Sequence, residues 1–235
     1  MRATIHFLAA VGVSCCVISV AGCAATAESA SGLFAKMTGR KTAEEALDIK
    51  TPQDRVKELR ELAKTAQKKS AEEKDQVTAE LAEEIRNEED PAMRRHVLRT
   101  LAEYHTPLSF SVLQAGLQDS DLEVRRVACE SLGKQGGPQA AQQLAHVAGA
   151  DTDPDVRIAA VRALGKTHEK AALTPLAEAL TDADPAVQYR AQESLRAVSG
   201  RDFGSNVQAW REYAETGKSS APEVSFSERM RRAMF

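Results

Sequence analysis

Aromatic residues are scarce in this 235-residue chain, at 4% of positions, and there is a single Trp. Strong charge of either sign is also absent. Lys and Arg number 31 against 34 Asp and Glu, a net charge of −3. That balance argues against a nucleic-acid binder and against a polyacidic tail. No apolar run reaches the roughly 20 residues that a membrane-spanning helix needs. Cysteine is limited to four residues, and three of them fall within the first 23 positions. A disulfide framework inside the rest of the chain is thereby excluded, because only Cys129 remains. The signatures of common catalytic sites are missing too. There is no nucleophile elbow, no phosphate-cradling Gly loop and no paired-carboxylate pattern. His96, His105, His146 and His168 share no H-x-x-x-H spacing and no Cys pair accompanies them, which argues against a metal site and against a cofactor.

What is abundant is Ala, Leu, Glu and Arg. These side chains lose little rotamer freedom in a helix, so the composition favours helices over strands. The length suits one good-sized domain with attachments.

The first residues read as a targeting segment. Arg2 gives a positive start, and a mostly apolar run extends from Ile5 to Val20. Such a run is the core of a secretory signal. It ends in Val20-Ala21-Gly22-Cys23, which resembles the lipobox of bacterial lipoproteins: an aliphatic residue, two small residues, then the Cys that accepts diacylglycerol. The resemblance implies a signal peptide over 1–22 and lipidation at Cys23. Residues 23–50 then form a tether, small and polar at its start from Ala24 to Ser31. No Asp follows Cys23, which implies an outer-membrane location in bacteria that read this position.

Internal periodicity dominates the remainder. Asp90-Pro91-Ala92-Met93-Arg94, Asp121-Leu122-Glu123-Val124-Arg125, Asp153-Pro154-Asp155-Val156-Arg157 and Asp184-Pro185-Ala186-Val187-Gln188 align without gaps, and the Asp residues are 31, 32 and 31 positions apart. Four residues after each Met or Val stands Val97, Ala128, Ala160 or Ala191. Eight residues after stands Leu101, Leu132, Leu164 or Leu195. Offsets of four and eight share one helical face. Each Asp can cap free N–H groups at a helix start, and Pro is suited to the first helical position. Gly133 and Gly165 read as helix ends. Partner helices are expected over about 106–118, 137–149 and 169–181, with Leu113/Leu117, Leu144/Val147 and Leu176/Leu180 on their buried sides.

This pattern resembles the HEAT-repeat family, in particular its short bacterial subtype first associated with phycobilin lyases. Val124-Arg125, Ala128 and Ser131-Leu132-Gly133 carry the likeness, as do Val156-Arg157, Ala160 and Ala163-Leu164-Gly165. The resemblance covers about 70–215. It implies an all-α, right-handed α-solenoid of about four helix pairs, with the Val-Arg helix second in each pair and facing the concave side. It is specific for fold and nearly silent on function. Export and the scarcity of aromatics argue against carrying over bilin chemistry. Export and the near-neutral charge argue equally against DNA repair.

The ends depart from the repeat. Thr51-Pro52-Gln53-Asp54 opens a charged helix with Val56, Leu59 and Leu62 on one stripe, expected as the N-terminal cap. Ser70 and Glu73 have capping-box spacing and open the first full pair, which runs to about Asn87. Gly200 to Gly204 leads to a helix with Val207, Trp210 and Tyr213, in which Trp210 seals the last repeat. The repeat domain therefore spans 51–217. Residues 218–235 are expected to be a disordered tail, whose end, Phe226 to Phe235, mixes Phe and Met with Arg and suits docking on a lipid or partner surface.

Two sets of candidate residues follow. In HEAT proteins an acid and an Arg placed like Glu88/Arg94, Asp119/Arg125 and Asp151/Arg157 form a hydrogen-bonded ladder joining adjacent repeats. The final copy has Asp182 but Gln188, so the ladder is expected to weaken there. On a helical wheel the positions two and six after each Met or Val point away from the core. They are Arg95 and Arg99, Arg126 and Glu130, Ile158 and Arg162, and Tyr189 and Glu193. Arg95, Arg99, Arg126, Arg162 and Tyr189 make this stripe a candidate partner-binding surface for an acidic protein segment. The acidic run Glu83, Glu84, Glu88 and Glu89 reads as a solvated helix face. The functional expectation is a non-catalytic scaffold or adaptor, lipid-anchored in the cell envelope and binding protein rather than nucleic acid. The rivals are an accessory subunit of an envelope enzyme or transporter, and an enzyme with an unadvertised cleft.

Overall fold

The structure, a computed structural model, describes residues 51–225. The signal, the tether with Cys23, and residues 226–235 lie outside them. Among the described residues there are ten α-helices, two 3₁₀ turns and no strand. The helices are α1 (Pro52–Thr65), α2 (Ala71–Asn87), α3 (Pro91–Leu101), α4 (Pro107–Gly116), α5 (Leu122–Gln135), α6 (Gly137–Ala150), α7 (Pro154–Thr167), α8 (Leu173–Ala179), α9 (Pro185–Ser199) and α10 (Val207–Thr216). None of them is long and apolar enough to cross a membrane.

They form two layers. The second helices α3, α5, α7 and α9 stack on one another, and α1 continues their layer at the N-terminal end. Among the first helices α2 packs on α4, α6 on α8, and α8 on the closing helix α10. This is an all-α solenoid of four helix pairs with a single capping helix at each end.

Local chemistry sets the helix starts. The carboxylates of Asp90, Asp121, Asp153 and Asp184 accept hydrogen bonds from the N–H of Ala92, Val124, Asp155 and Ala186, at 2.7–3.0 Å. Those N–H groups have no carbonyl partner inside the helix, and the negative charge suits its positive end. Thr51, Ser70 and Thr106 cap α1, α2 and α4 through reciprocal capping boxes. The third partner helix begins later than expected. Lys170–Ala172 is a 3₁₀ turn and α8 starts only at Leu173.

The four- and eight-residue spacing becomes the core. Val97, Leu101, Val124, Ala128, Leu132, Val156, Ala160, Leu164, Val187, Ala191 and Leu195 are all fully buried. Cys129 lies among them, and burial pushes its thiol up to about 12. Such a thiol carries almost no thiolate at neutral pH and acts as a small apolar side chain.

The reading of Gly133 and Gly165 as helix ends is corrected. Both lie inside their helices, at buried positions packed against the next second helix. A Cβ on Gly133 would fall 2.7 Å from Ala163 Cβ, and one on Gly165 would fall 2.7 Å from Ser194 Oγ. Glycine is there to let backbones meet. The chain ends α5 with Gly136 at φ 69° and α7 with His168 at φ 55°, the left-handed region.

The expectation of disorder from residue 218 also gives way, as far as residue 225. Val224 N–H donates to Asp202 O at 2.8 Å, Arg201 pairs with Glu223 at 2.6 Å, and Ala221 packs against the core. The segment folds back over the aromatic end of the array.

Candidate protein-binding face

The second helices carry the candidate residues, and two sets of bonds fix how those helices align. The first is the ladder, whose register differs from the expected one. Each Arg reaches across to the acid of the following repeat. Arg94 donates from Nε and Nη2 to Asp119 at 2.8 and 2.8 Å, Arg125 to Asp151 at 2.9 and 3.2 Å, and Arg157 to Asp182 at 2.9 and 2.9 Å. The acid six positions upstream is used differently. Its backbone carbonyl accepts from Nη1 of the same Arg: Glu88 O for Arg94, Asp119 O for Arg125 and Asp151 O for Arg157. One guanidinium thus holds its own turn and the next one.

Glu88 therefore makes no side-chain pair with Arg94. Its carboxylate accepts from Asp90 N–H at 2.8 Å. At the other end Gln188 keeps only the bond to Asp182 O, at 2.7 Å, and the ladder stops. The pairs are largely shielded, with the carboxylates only 10–16% exposed. Burial would raise the Asp119 carboxyl, but Arg94, the Asp121 N–H and Arg125 outweigh it and hold it below its usual value. Arg157 lowers Asp182, against burial. A further rung joins α1: Arg55 Nε donates to Glu84 at 2.8 Å, and Nη2 contacts the same carboxylate. Helix α1 lacks the Val-Arg signature, which hid this rung from sequence reading.

The second set is a row of hydroxyls seven residues after the Met or Val. Thr100 donates to Leu59 O at 3.2 Å, Ser131 to Leu98 O at 3.4 Å, and Ser194 to Val161 O at 2.9 Å. These bonds set α3 on α1, α5 on α3 and α9 on α7 in one register, while α7 carries Ala163 at that position. Leu59 in α1 takes the place that Leu98 takes in α3. Arg60 therefore corresponds to Arg99, and the surface row of the stripe reads Arg60, Arg99, Glu130, Arg162, Glu193. The adjoining row reads Val56, Arg95, Arg126, Ile158, Tyr189. Arg60 is a member of the stripe that the repeat pattern alone did not reveal.

The stripe is accessible but uneven. Arg60, Arg99, Arg162 and Tyr189 are exposed, Tyr189 at 59%, while Arg95, Arg126, Glu130, Ile158 and Glu193 are half-buried. Arg126 is paired with Glu123 at 2.6 Å, and Glu193 with Arg196 at 2.9 Å. Arg60, Arg95, Arg99 and Arg162 have no ion pair among the described residues, and Arg95 Nε is buried without a hydrogen-bond partner there. Beside them, His96 is held below its usual value by burial and then by Arg99, Arg60 and Arg95, against a smaller pull from Asp90. A shallow groove of about 670 Å³ continues the face, lined by Arg99, Glu103, Glu130, Lys134 and Lys166 among others.

A second groove, of about 330 Å³, brings together Asp119, Arg125, His146 and Asp151, but the Asp and Arg side chains there are engaged in the ladder. No group of three or more His, Cys, Asp or Glu is placed to hold a metal among the described residues.

A family profile described as HEAT repeats matches residues 78–154 and 147–209. No curated protein matches the sequence. Among solved structures, the crystal structure of an engineered protein is similar, at 19% identity and a TM-score of 0.45, over 80% of this chain and 90% of that one.

Proposed function

The chain belongs to the HEAT-repeat family, and from that premise we propose that it is a non-catalytic scaffold or adaptor that binds a partner protein along the exposed stripe of its second helices. In HEAT solenoids these helices face the concave side. The observation that carries the reading is the stripe itself. Arg60, Arg95, Arg99 and Arg162 are held on a rigid stack and have no ion pair among the described residues. Arg and Tyr supply contact area at small entropic cost and are enriched where binding energy concentrates. The side chains that order the stack face between repeats, so surface and scaffold are separate sets of residues. An acidic protein segment is the occupant that fits.

The second part of the proposal is the address. Val20-Ala21-Gly22-Cys23 supports export and a diacylglycerol anchor at Cys23, and with it a site on the periplasmic side of the cell envelope; the lack of an Asp after Cys23 favours the outer over the inner membrane in bacteria that read this position. An accessory subunit of an envelope enzyme or transporter is a special case of the same reading, distinguished by the partner's identity.

Crosslinking in native membranes, followed by mass spectrometry, tests both parts. The variant with Arg95, Arg99, Arg126 and Arg162 all changed to Glu is expected to fold, to stay membrane-associated and to lose the wild-type partners. Cys23→Ala is expected to release the protein or leave it unprocessed. Retention of the partners by the first variant would remove the stripe as the functional surface. Wild-type fractionation of the second would remove the anchor.

A further inference from the structure

We propose that the stripe contains one discrete anion-binding site, formed at its N-terminal end by Arg60, Arg95 and Arg99 around His96, and that its ligand is an extended protein segment with carboxylates at every third residue. The inference rests on the proposed partner-binding role of this face and adds where, to what, and under which pH dependence it binds.

The Thr100–Leu59 bond fixes the register of α1 against α3. It brings Arg60 of α1 level with Arg99 of α3, with Arg95 in the adjoining row one turn away. Three guanidiniums thus belong to two neighbouring helices, and the two rows hold no acid on α1 or α3, the first being Glu130 on α5. The remainder of the stripe is neutral by comparison. Arg162 stands between Glu130 and Glu193 in its row, Arg126 is tied to Glu123, and Ile158 is apolar. A field of one sign is therefore confined to the N-terminal end.

Two features of the cluster favour an anion. Arg95 Nε is buried without a partner among the described residues. His96, half-buried, has its charged form disfavoured by burial and by the three arginines, against a smaller pull from Asp90. A buried donor without an acceptor is costly, and an arriving carboxylate would satisfy it with a charge-assisted bond.

Spacing defines the ligand. Packed helices lie about 8–10 Å apart, and an extended chain advances about 3.3 Å per residue. A segment crossing the helices along the solenoid would bring its every third side chain to successive arginines. Carboxylates at i and i+3 match Arg60 and Arg99. A carboxylate seated among the arginines would also remove their repulsion from His96 and favour the imidazolium. Binding then takes up a proton, so affinity rises as pH falls through the range in which His96 titrates.

The test uses the full repeat domain in the intact chain and a fluorescein-labelled peptide of four Asp-Gly-Ser repeats, read by anisotropy. Wild type is expected to bind it, and to bind ~3–10-fold more tightly near pH 5.5 than near pH 7.5. Arg60, Arg95 and Arg99 together changed to Gln should weaken binding at least ~30-fold. Arg126 and Arg162 changed to Gln should weaken it less than ~3-fold. His96→Gln should retain binding but lose the pH dependence. Circular dichroism melting checks that each variant is folded. If the Arg126/Arg162 variant loses binding and the triple variant does not, the local site is wrong while the stripe stands as the partner surface. If wild type binds the Asn-substituted peptide equally well, or binds only phosphatidylglycerol vesicles, the assigned ligand is wrong. A wild-type pH profile in His96→Gln overturns the proton linkage.

Discussion

At its N-terminal end the repeat array is closed by ions and hydrogen bonds, and at its C-terminal end by aromatic rings. Helix α1 joins the stack through Arg55 and Glu84, the Thr100 hydroxyl on Leu59 O, and the Tyr104 hydroxyl on Leu62 O at 2.9 Å. It buries fully only one residue, Leu59. Helix α10 instead inserts Trp210, 1% exposed, against Phe203 at 4.8 Å between ring centroids, with Tyr213 at 6.3 Å. The indole N–H donates to Gly204 O at 2.9 Å. The ladder explains the asymmetry. Each repeat needs the next one to receive its Arg and cover its apolar face. At the last repeat Gln188 replaces Arg, so the array cannot continue by ions and a hydrophobic plug covers the exposed end. At the first, α1 supplies an Arg and the ladder simply begins there.

The largest consequence concerns the plug. Trp210→Ala should cost ~3–5 kcal/mol, through lost burial and a cavity that rigid neighbours cannot fill. Urea denaturation measures it. The N-terminal closure should survive, because the solenoid couples mainly nearest neighbours. Amide exchange should therefore rise first in α8 to α10. If exchange rises equally in α1 and α2, the two ends are not independent and the comparison fails.

A middle-sized effect belongs to the central ladder. Arg125→Ala removes a two-pronged bond to Asp151 and the tie to Asp119 O, and leaves a shielded carboxylate without its partner. A loss of ~1.5–3 kcal/mol is expected, or ~3–12 °C in melting temperature for a domain of this size. Gln188→Ala, which removes no inter-repeat ion pair, should cost well under half of that. Equal losses would mean that the cross-repeat pairing contributes nothing.

Acid titrates the same bonds. Asp119 and Asp182 have carboxyls held below their ordinary value of 3.8 in the folded chain. A depressed carboxyl contributes stability that is complete above the unfolded value and is lost as pH falls through the folded one. The melting temperature should therefore be insensitive to these groups above about pH 5. It should fall below about pH 4, and Asp182→Asn should flatten part of that fall. An unchanged slope in Asp182→Asn would separate the acid sensitivity from the ladder.

What could be read from sequence divides along the same line between local and inter-repeat chemistry. The Asp caps, the Ser70 capping box and the buried Val-Ala-Leu spacing depend on residues within one helix, so a single chain segment reveals them. The ladder residues were identifiable from their recurrence, but not their partners. Two acids lie at plausible distances from each Arg, one six residues before it and one 25 or 26 after, and only stacking selects the second. Gly133 looks like a helix stop until Ala163 of the next repeat is seen against it. Arg60 was invisible for the same reason: its place in the stripe is set by Thr100, 40 residues away, rather than by any motif of its own. The docking of 218–225 depends on Arg201 and Asp202, again across a turn of sequence that carries no periodic signal.

The smallest effect is the sharpest test of the difference between the ends. Arg55 and Glu84 occupy the place of a ladder rung, but their side chains are 31% and 23% exposed, about twice the exposure of the central pairs. Arg55 is also shared with Glu58 on its own helix at 2.9 Å. Water screens such a pair, and side-chain entropy offsets much of the attraction. Arg55→Ala should thus cost at most ~1 kcal/mol in global stability, and the loss should shrink further in high salt. Its effect should be local: α1, with one fully buried side chain, should fray, raising amide exchange in α1 while α5 and α7 stay protected. Trypsin cleavage at Lys57 or Lys64 would report the same fraying. A loss equal to that of Arg125→Ala would show that the cap is bound as firmly as an internal repeat. The N-terminal closure would then be a full rung rather than a weakened one, and the contrast between an ionic end and an aromatic end would become a contrast of chemistry without a contrast in strength.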